Sequence, residues 1–189
     1  MSPAQRDALT SYVALLRGIN LGAKNKVPMP ALRSVVESLG HEDVRTYIQS
    51  GNVLFRSRSR GVPTIAAALE KSITEEFGFR VAVVVRSQPE LRQVTTSNPF
   101  LVAGADPSAL HVVLLGSSPT KASVGALDPD RSPPDEFAVR HAEVYLHCPN
   151  GFGRSKLSLD YFERTLGAPG TIRNWKTVTK LLELMASPP

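Results

Sequence analysis

Tyr12-Val13-Ala14-Leu15-Leu16 is an unbroken apolar run, and Leu32, Val35, Val36 and Leu39 follow it at i, i+3, i+4 and i+7. Apolar residues without alternation read as a central strand buried on both faces. The second pattern is one face of an amphipathic helix, with Gly40 as its C-cap. Further along, Val44 to Gln49 and Val53 to Phe55 read as strands joined through Ser50-Gly51-Asn52. A helix follows Pro63, with Ile65, Leu69, Ile73 and Phe77 about one turn apart, and Val81 to Val85 reads as another buried strand. The resulting order, β-α-β-β-α-β, is the split unit of ferredoxin-like folds.

A similar order begins again at His111. The spacing predicts a strand over His111 to Leu115, a short helix over Pro119 to Leu127 and a hairpin of Phe137 to Arg140 with Val144 to His147. It then predicts a helix over Ser155 to Leu166 and a last helix from about Trp175, standing where a final strand is expected. The expected fold class is α+β, with two ferredoxin-like lobes in tandem and the second ending in an extra helix. The lobes fall at residues 11–86 and 109–186, with 87–108 connecting them. Residues 1–10 and the tail Ser187-Pro188-Pro189 are expected to fray.

The composition, 42% hydrophobic and 21% charged, is ordinary for a soluble globular protein. No apolar run approaches the roughly 20 residues of a membrane span, so no membrane partner is expected. Met1 to Thr10 hold no apolar block of the kind a signal peptide uses. One cysteine, Cys148, excludes an internal disulfide framework and a cysteine-rich zinc site, so the expected compartment is a reducing cytoplasm. The net charge of +5 is uneven: residues 1–60 carry nine Lys/Arg against four Asp/Glu, and residues 150–189 carry six against three. Basic ends around a mildly acidic middle favour an anionic partner.

Three expected helix starts are flanked by cations: Lys24-Asn25-Lys26 before Pro28, Arg154 and Lys156 around Ser155, and Arg173 and Lys176 around Asn174. A helix N-terminus carries partial positive charge and unpaired N–H groups, so it prefers an anion nearby. The first of these loops, Arg17 to Met29, leaves a strand and enters a helix, with Gly18 and Gly22 letting N–H groups converge. It is neither a Walker loop nor a dinucleotide fingerprint; a plain strand-to-helix loop with solvated lysines is the alternative. In the hairpin, Tyr47 and Gln49 share one face, and Gln49, Ser50 and Asn52 offer polar groups to a ligand edge; a turn built on backbone needs is the alternative. For Trp175 and Phe152 the choice is between core packing and stacking on a ligand.

Four of these segments also carry a resemblance. Tyr12 to Asn20, Lys24-Asn25-Lys26-Val27-Pro28-Met29, Arg45 to Val53 and Arg173-Asn174-Trp175-Lys176-Thr177-Val178 resemble the bacterial domain of unknown function 1697 family. The similarity runs from about Ser11 to Met185, with Ala23 where glycine is expected. It implies an α+β protein of ferredoxin-like halves and brings no established activity, so no catalytic residue is carried over.

Searches for chemistry find little. His41, His111, His141 and His147 show no ligand spacing, and no carboxylate pair falls in the basic motifs. No catalytic constellation is recognised and no metal or cofactor is called for. The expected activity is binding of a phosphate-bearing ligand, nucleic acid ahead of a free nucleotide, by Arg17, Asn20, Lys24, Asn25, Lys26, Tyr47, Gln49, Asn52, Arg154, Lys156, Arg173, Asn174 and Lys176. The alternatives are a cytosolic enzyme acting on a small phosphorylated or carboxylated metabolite, and a protein-interaction module.

Overall fold

A computed structural model describes residues 9–22, 24–59 and 61–187. They form a mixed α+β protein with two four-stranded antiparallel sheets and seven α-helices. The chain divides into two compact units, residues 1–92 with 181–189, and residues 93–180.

The first unit contains β1 (Thr10–Leu16), α1 (Met29–Ser38), β2 (Glu42–Tyr47), β3 (Asn52–Ser57), α2 (Val62–Phe77) and β4 (Val83–Ser87). Its sheet runs β2-β3-β1-β4, with β1 antiparallel to both β3 and β4. The unbroken apolar run of β1 thus has its cause: Tyr12, Ala14 and Leu16 join a core with Leu32 and Val36 of α1 and Ile65, Leu69 and Ile73 of α2, while Val13 and Leu15 on the opposite face are buried as well. Fully burying a Leu or Ile side chain contributes about 1.5–3 kcal/mol, so the helical stripes dock α1 and α2 on one sheet face. A left-handed Gly78 ends α2, its N–H donating 2.9 Å to the Thr74 carbonyl.

The second unit contains β5 (Leu110–Leu115), α5 (Lys121–Gly125), β6 (Glu136–Arg140), β7 (Glu143–His147), α6 (Leu159–Leu166) and β8 (Gly170–Asn174), with sheet order β6-β7-β5-β8. Between the two sets lie α3 (Gln88–Thr96) and α4 (Pro99–Val102), so the connecting segment is partly helical. After β8 comes α7 (Trp175–Ala186). Val113, Leu115, Val144, Leu146 and Cys148 pack with Phe162 and Leu166 of α6.

Three expectations are corrected. A last strand does exist: Gly170–Asn174 pairs antiparallel with β5, and α7 follows it instead of replacing it. Gly170 fits there because an added Cβ would lie 2.9 Å from the Leu114 carbonyl oxygen. The helix expected from Ser155 starts at Leu159, capped by Ser158. Thr10 is already the first residue of β1. The rest of the expected frayed start up to residue 8, Ala23 and the last two prolines lie outside the described residues.

Candidate functional site: the loop between β1 and α1

Asn20 organises the loop that follows β1. Its Nδ2 donates to the Val27 carbonyl (3.0 Å) and the Gln49 carbonyl (2.9 Å), and its Oδ1 accepts from the Val27 N–H (2.9 Å). Its own main-chain N–H donates 3.0 Å to the Asn25 carbonyl. Asn20 and Asn25 take φ of 55° and 51°, a left-handed conformation that asparagine tolerates better than most residues. One side chain thereby closes the loop on itself and fastens it to the tip of the β2–β3 hairpin.

The hairpin side of this junction is equally committed. Asn52 is fully buried, and its Nδ2 donates to the Tyr47 carbonyl and to Ser50 Oγ, both at 3.0 Å. Gly51, at φ 74°, comes so close to β1 that a Cβ would sit 2.8 Å from Leu16 Cβ and 2.7 Å from Ile19 Cδ1. Its carbonyl accepts from the Leu16 N–H at 2.8 Å. The amides of Asn20 and Asn52, expected to orient a ligand, are therefore engaged in the fold, Asn20 in joining the two loops and Asn52 in bracing the hairpin tip. Tyr47 is half-buried and Gln49 is exposed.

What remains open is a groove of about 440 Å³ lined by Asn20, Lys26, Val27, Pro28 and Gln49. Helix α1 begins at its edge, with Pro28 at the N-cap position, no side-chain cap and no acidic residue in the first turn. Lys24, Asn25 and Lys26 are exposed. Among the described residues, neither lysine forms an ion pair. Arg17 is half-buried and its main-chain N–H donates to the Ala82 carbonyl at 2.9 Å.

The second unit treats its basic residues differently. Ser155 Oγ accepts from the Leu157 N–H at 3.1 Å, and Leu157 is buried, so the chain stays extended past Lys156. Helix α6 then starts with Ser158 capping the Tyr161 N–H and with Asp160 in its first turn, the usual anion at a helix start. Arg154 and Lys156 are exposed ahead of that cap. Arg173 lies in β8, 9% exposed, and donates to Thr171 Oγ1 (2.6 Å) and to the Ile172 carbonyl (2.8 Å). Burial pushes its pKa down to about 10. It is a buried cation hydrogen-bonded to its own strand. Asn174 caps α7, accepting from the Thr177 N–H at 2.8 Å, and Lys176 is exposed. Trp175 is buried with its ring 6.4 Å from that of Tyr145, and Phe152 stacks on His111 at 4.7 Å, so both aromatic residues have partners inside the fold. Of the three expected cation-flanked helix starts, those at α1 and α7 are present, the latter with Asn174 as its cap and Arg173 buried, and the one at Ser155 is displaced to Ser158.

Cys148 is buried in the core of the second unit, and burial raises its thiol pKa, which makes it a poor nucleophile. Among the described residues, no three of His, Cys, Asp and Glu are grouped to hold a metal ion. Two residues escaped sequence reasoning: Leu21 and Ile48, on either side of the Asn20–Gln49 bond, are large apolar side chains left exposed. A leucine between Asn20 and Gly22, in a segment of turn-forming residues, was the available signal for the first.

The family described as "Protein of unknown function (DUF1697)" matches residues 9–145, which include the whole loop, the hairpin and β1. The chain belongs to this family. The conserved bacterial protein SP0830 from Streptococcus pneumoniae has a similar structure, with a TM-score of 0.73 and 24% sequence identity over 94% of this chain and 99% of that one. That likeness is one of fold. Comparison with curated proteins gives no match. No helix among the described residues is long and apolar enough to cross a membrane.

Proposed function

We propose that this DUF1697 protein binds a phosphate-bearing partner, nucleic acid ahead of a free nucleotide, on the face built by the β1–α1 loop and the β2–β3 hairpin tip. The observation that carries the reading is the pair of exposed lysines, Lys24 and Lys26, at an α1 start with neither acid nor side-chain cap. Cations there add to the partial positive charge of the helix end, an arrangement that an incoming phosphate relieves. The groove beside Lys26 is open, which suits a polymer passing over it better than a metabolite enclosed in it. We read each sheet with its helices as a ferredoxin-like unit, within lobes at 11–86 and 109–186, acting in the cytoplasm. The β2-β3-β1-β4 and β6-β7-β5-β8 orders support that reading.

Fluorescence titration with labelled single-stranded and duplex oligonucleotides tests it. Each phosphate neutralised on a single strand contributes about −0.7 to the slope of log K against log salt. Lys24→Ala and Lys26→Ala are each expected to weaken binding and to flatten that slope by about this amount. Absence of binding at low salt ends the proposal.

A further inference from the structure

Among the described residues, three large apolar side chains are exposed: Leu21 at 72%, Ile48 at 51% and Val102 at 87%. Two of the three flank one hydrogen bond, since Leu21 follows Asn20, Ile48 precedes Gln49, and Asn20 Nδ2 meets the Gln49 carbonyl at 2.9 Å. Single exposed apolar residues are commonplace, but these two sit one on each of two loop tips that a hydrogen bond joins. Ile48 is also strained. Its φ is 50°, a region that a β-branched residue rarely occupies and that asparagine or glycine fills more readily. The fold thus keeps an isoleucine where the backbone disfavours one, and leaves half of it in water.

The charge around this surface has one sign. No Asp or Glu occurs between Asp7 and Glu37, or between Asp43 and Glu70, so the β1–α1 loop carries cations only and the hairpin tip, Ile48-Gln49-Ser50-Gly51, carries no charge. Self-association through this face would bring like charges together. Hydrocarbon would suit the two aliphatic tips but would strand the exposed amides of Asn25 and Gln49, which need polar partners. A base meets all three demands, offering an apolar face, polar edges and an attached phosphate. Inside a duplex those faces are stacked away, whereas a single strand presents them. We infer that Leu21 and Ile48 pack against unstacked bases of single-stranded nucleic acid whose phosphates lie on Lys24 and Lys26. This assignment rests on the phosphate-binding reading of the same face and adds which part of the polymer is touched.

The test uses the full chain, a single-stranded oligonucleotide of about 20 nucleotides, its duplex, and an abasic strand of equal length and charge. Wild type is expected to bind the base-bearing strand about tenfold more tightly than the abasic strand. Leu21→Ser combined with Ile48→Asn should remove most of that preference and leave the salt slope unchanged. Leu21 is exposed and asparagine accepts the φ of position 48, so a loss of binding would not come from unfolding; circular dichroism of the variant checks this. Equal affinity for base-bearing and abasic strands overturns the base contact while leaving phosphate binding intact. Unchanged base preference in the double variant does the same. A wild-type dimer by light scattering that the double variant dissolves assigns the surface to a second copy and overturns the inference. Binding to phosphatidylserine vesicles with none to any strand overturns both this inference and the nucleic-acid reading beneath it.

Discussion

Arg45 Nη2 donates a 2.9 Å hydrogen bond to the main-chain carbonyl of Leu184, a residue 139 positions later in the chain. Leu184 is in the last turn of α7, where carbonyls have no partner within the helix and carry the negative end of its dipole. A guanidinium from β2 therefore caps the C-terminal end of the last helix. Arg45→Met keeps much of the aliphatic stem and removes the donor. It is expected to lower unfolding free energy by about 1–2 kcal/mol, since the bond is charge-assisted and partly buried. Urea denaturation reads the loss, and hydrogen exchange should speed up at Met185 to Ser187. Unchanged exchange there would mean that the cap holds nothing.

Asn20 is expected to matter more for shape than for ligand contact. Asn20→Asp retains the acceptor for the Val27 N–H but replaces a donor with a carboxylate facing the Val27 and Gln49 carbonyls. Each lost bond is worth about 1 kcal/mol and the unpaired acceptors add to the cost, so a loss of about 2–3 kcal/mol is expected. The amide signals of Val27 and Gln49 should shift together in an NMR spectrum. A variant as stable as wild type would show that the hairpin tip stays in place without this side chain.

Ile48 offers the opposite sign. Replacing it with asparagine at a φ of 50° relieves a backbone cost of about 1 kcal/mol while exposing less apolar surface. Ile48→Asn is expected to raise the midpoint of thermal unfolding. A lower midpoint would mean that the buried half of the isoleucine outweighs the strain. Gained stability with lost binding is the usual pattern where strain is kept for function.

The pH dependence of stability should carry a signature of His41. Its ring lies 4.6 Å from Phe55, its Nε2 is buried without a hydrogen-bond partner among the described residues, and burial pushes its pKa below 6.5. Well above pH 6.5 the imidazole is neutral in both folded and unfolded chains, and it contributes no pH dependence. As pH falls through 6.5 the unfolded chain takes the proton first, so stability declines until the folded imidazole also titrates. His41→Phe keeps the ring contact and removes the proton site. Denaturation series from about pH 7.5 to pH 5 should differ by a constant offset at the neutral end and by a changing one toward acid, with the variant the less sensitive. Parallel curves would show that His41 titrates normally.

Much of the first unit was legible in the sequence because its elements announce themselves by period. β1 is an unbroken apolar run, and the stripes of α1 and α2 repeat at helical spacing, so burial on both faces of one and on one face of the others follows directly. The second unit was read less well for a physical reason. Gly170-Thr171-Ile172-Arg173-Asn174 contains a charge and a glycine, and nothing local makes it a strand. It becomes one because β5 pairs with it and because Thr171 Oγ1 takes up the Arg173 guanidinium. Ser155 and Ser158 are equally good caps in isolation. The choice fell to Ser158 because Leu157 is buried, 1% exposed, in an extended segment ahead of the helix.

The amino-acid order by itself determined the succession of strands and helices in the first unit, the positive sign of its β1–α1 loop and the family to which the chain belongs. These depend on spacing and charge, which are local and survive without coordinates. Only the tertiary structure decided which polar groups remain available. It engaged Asn20 in joining two loops and Asn52 in bracing the hairpin tip, buried Arg173 on β8, and left Lys24 and Lys26 exposed with Leu21 and Ile48. Hydrogen-bond partners and burial are set by residues distant in the chain, and no local pattern encodes them.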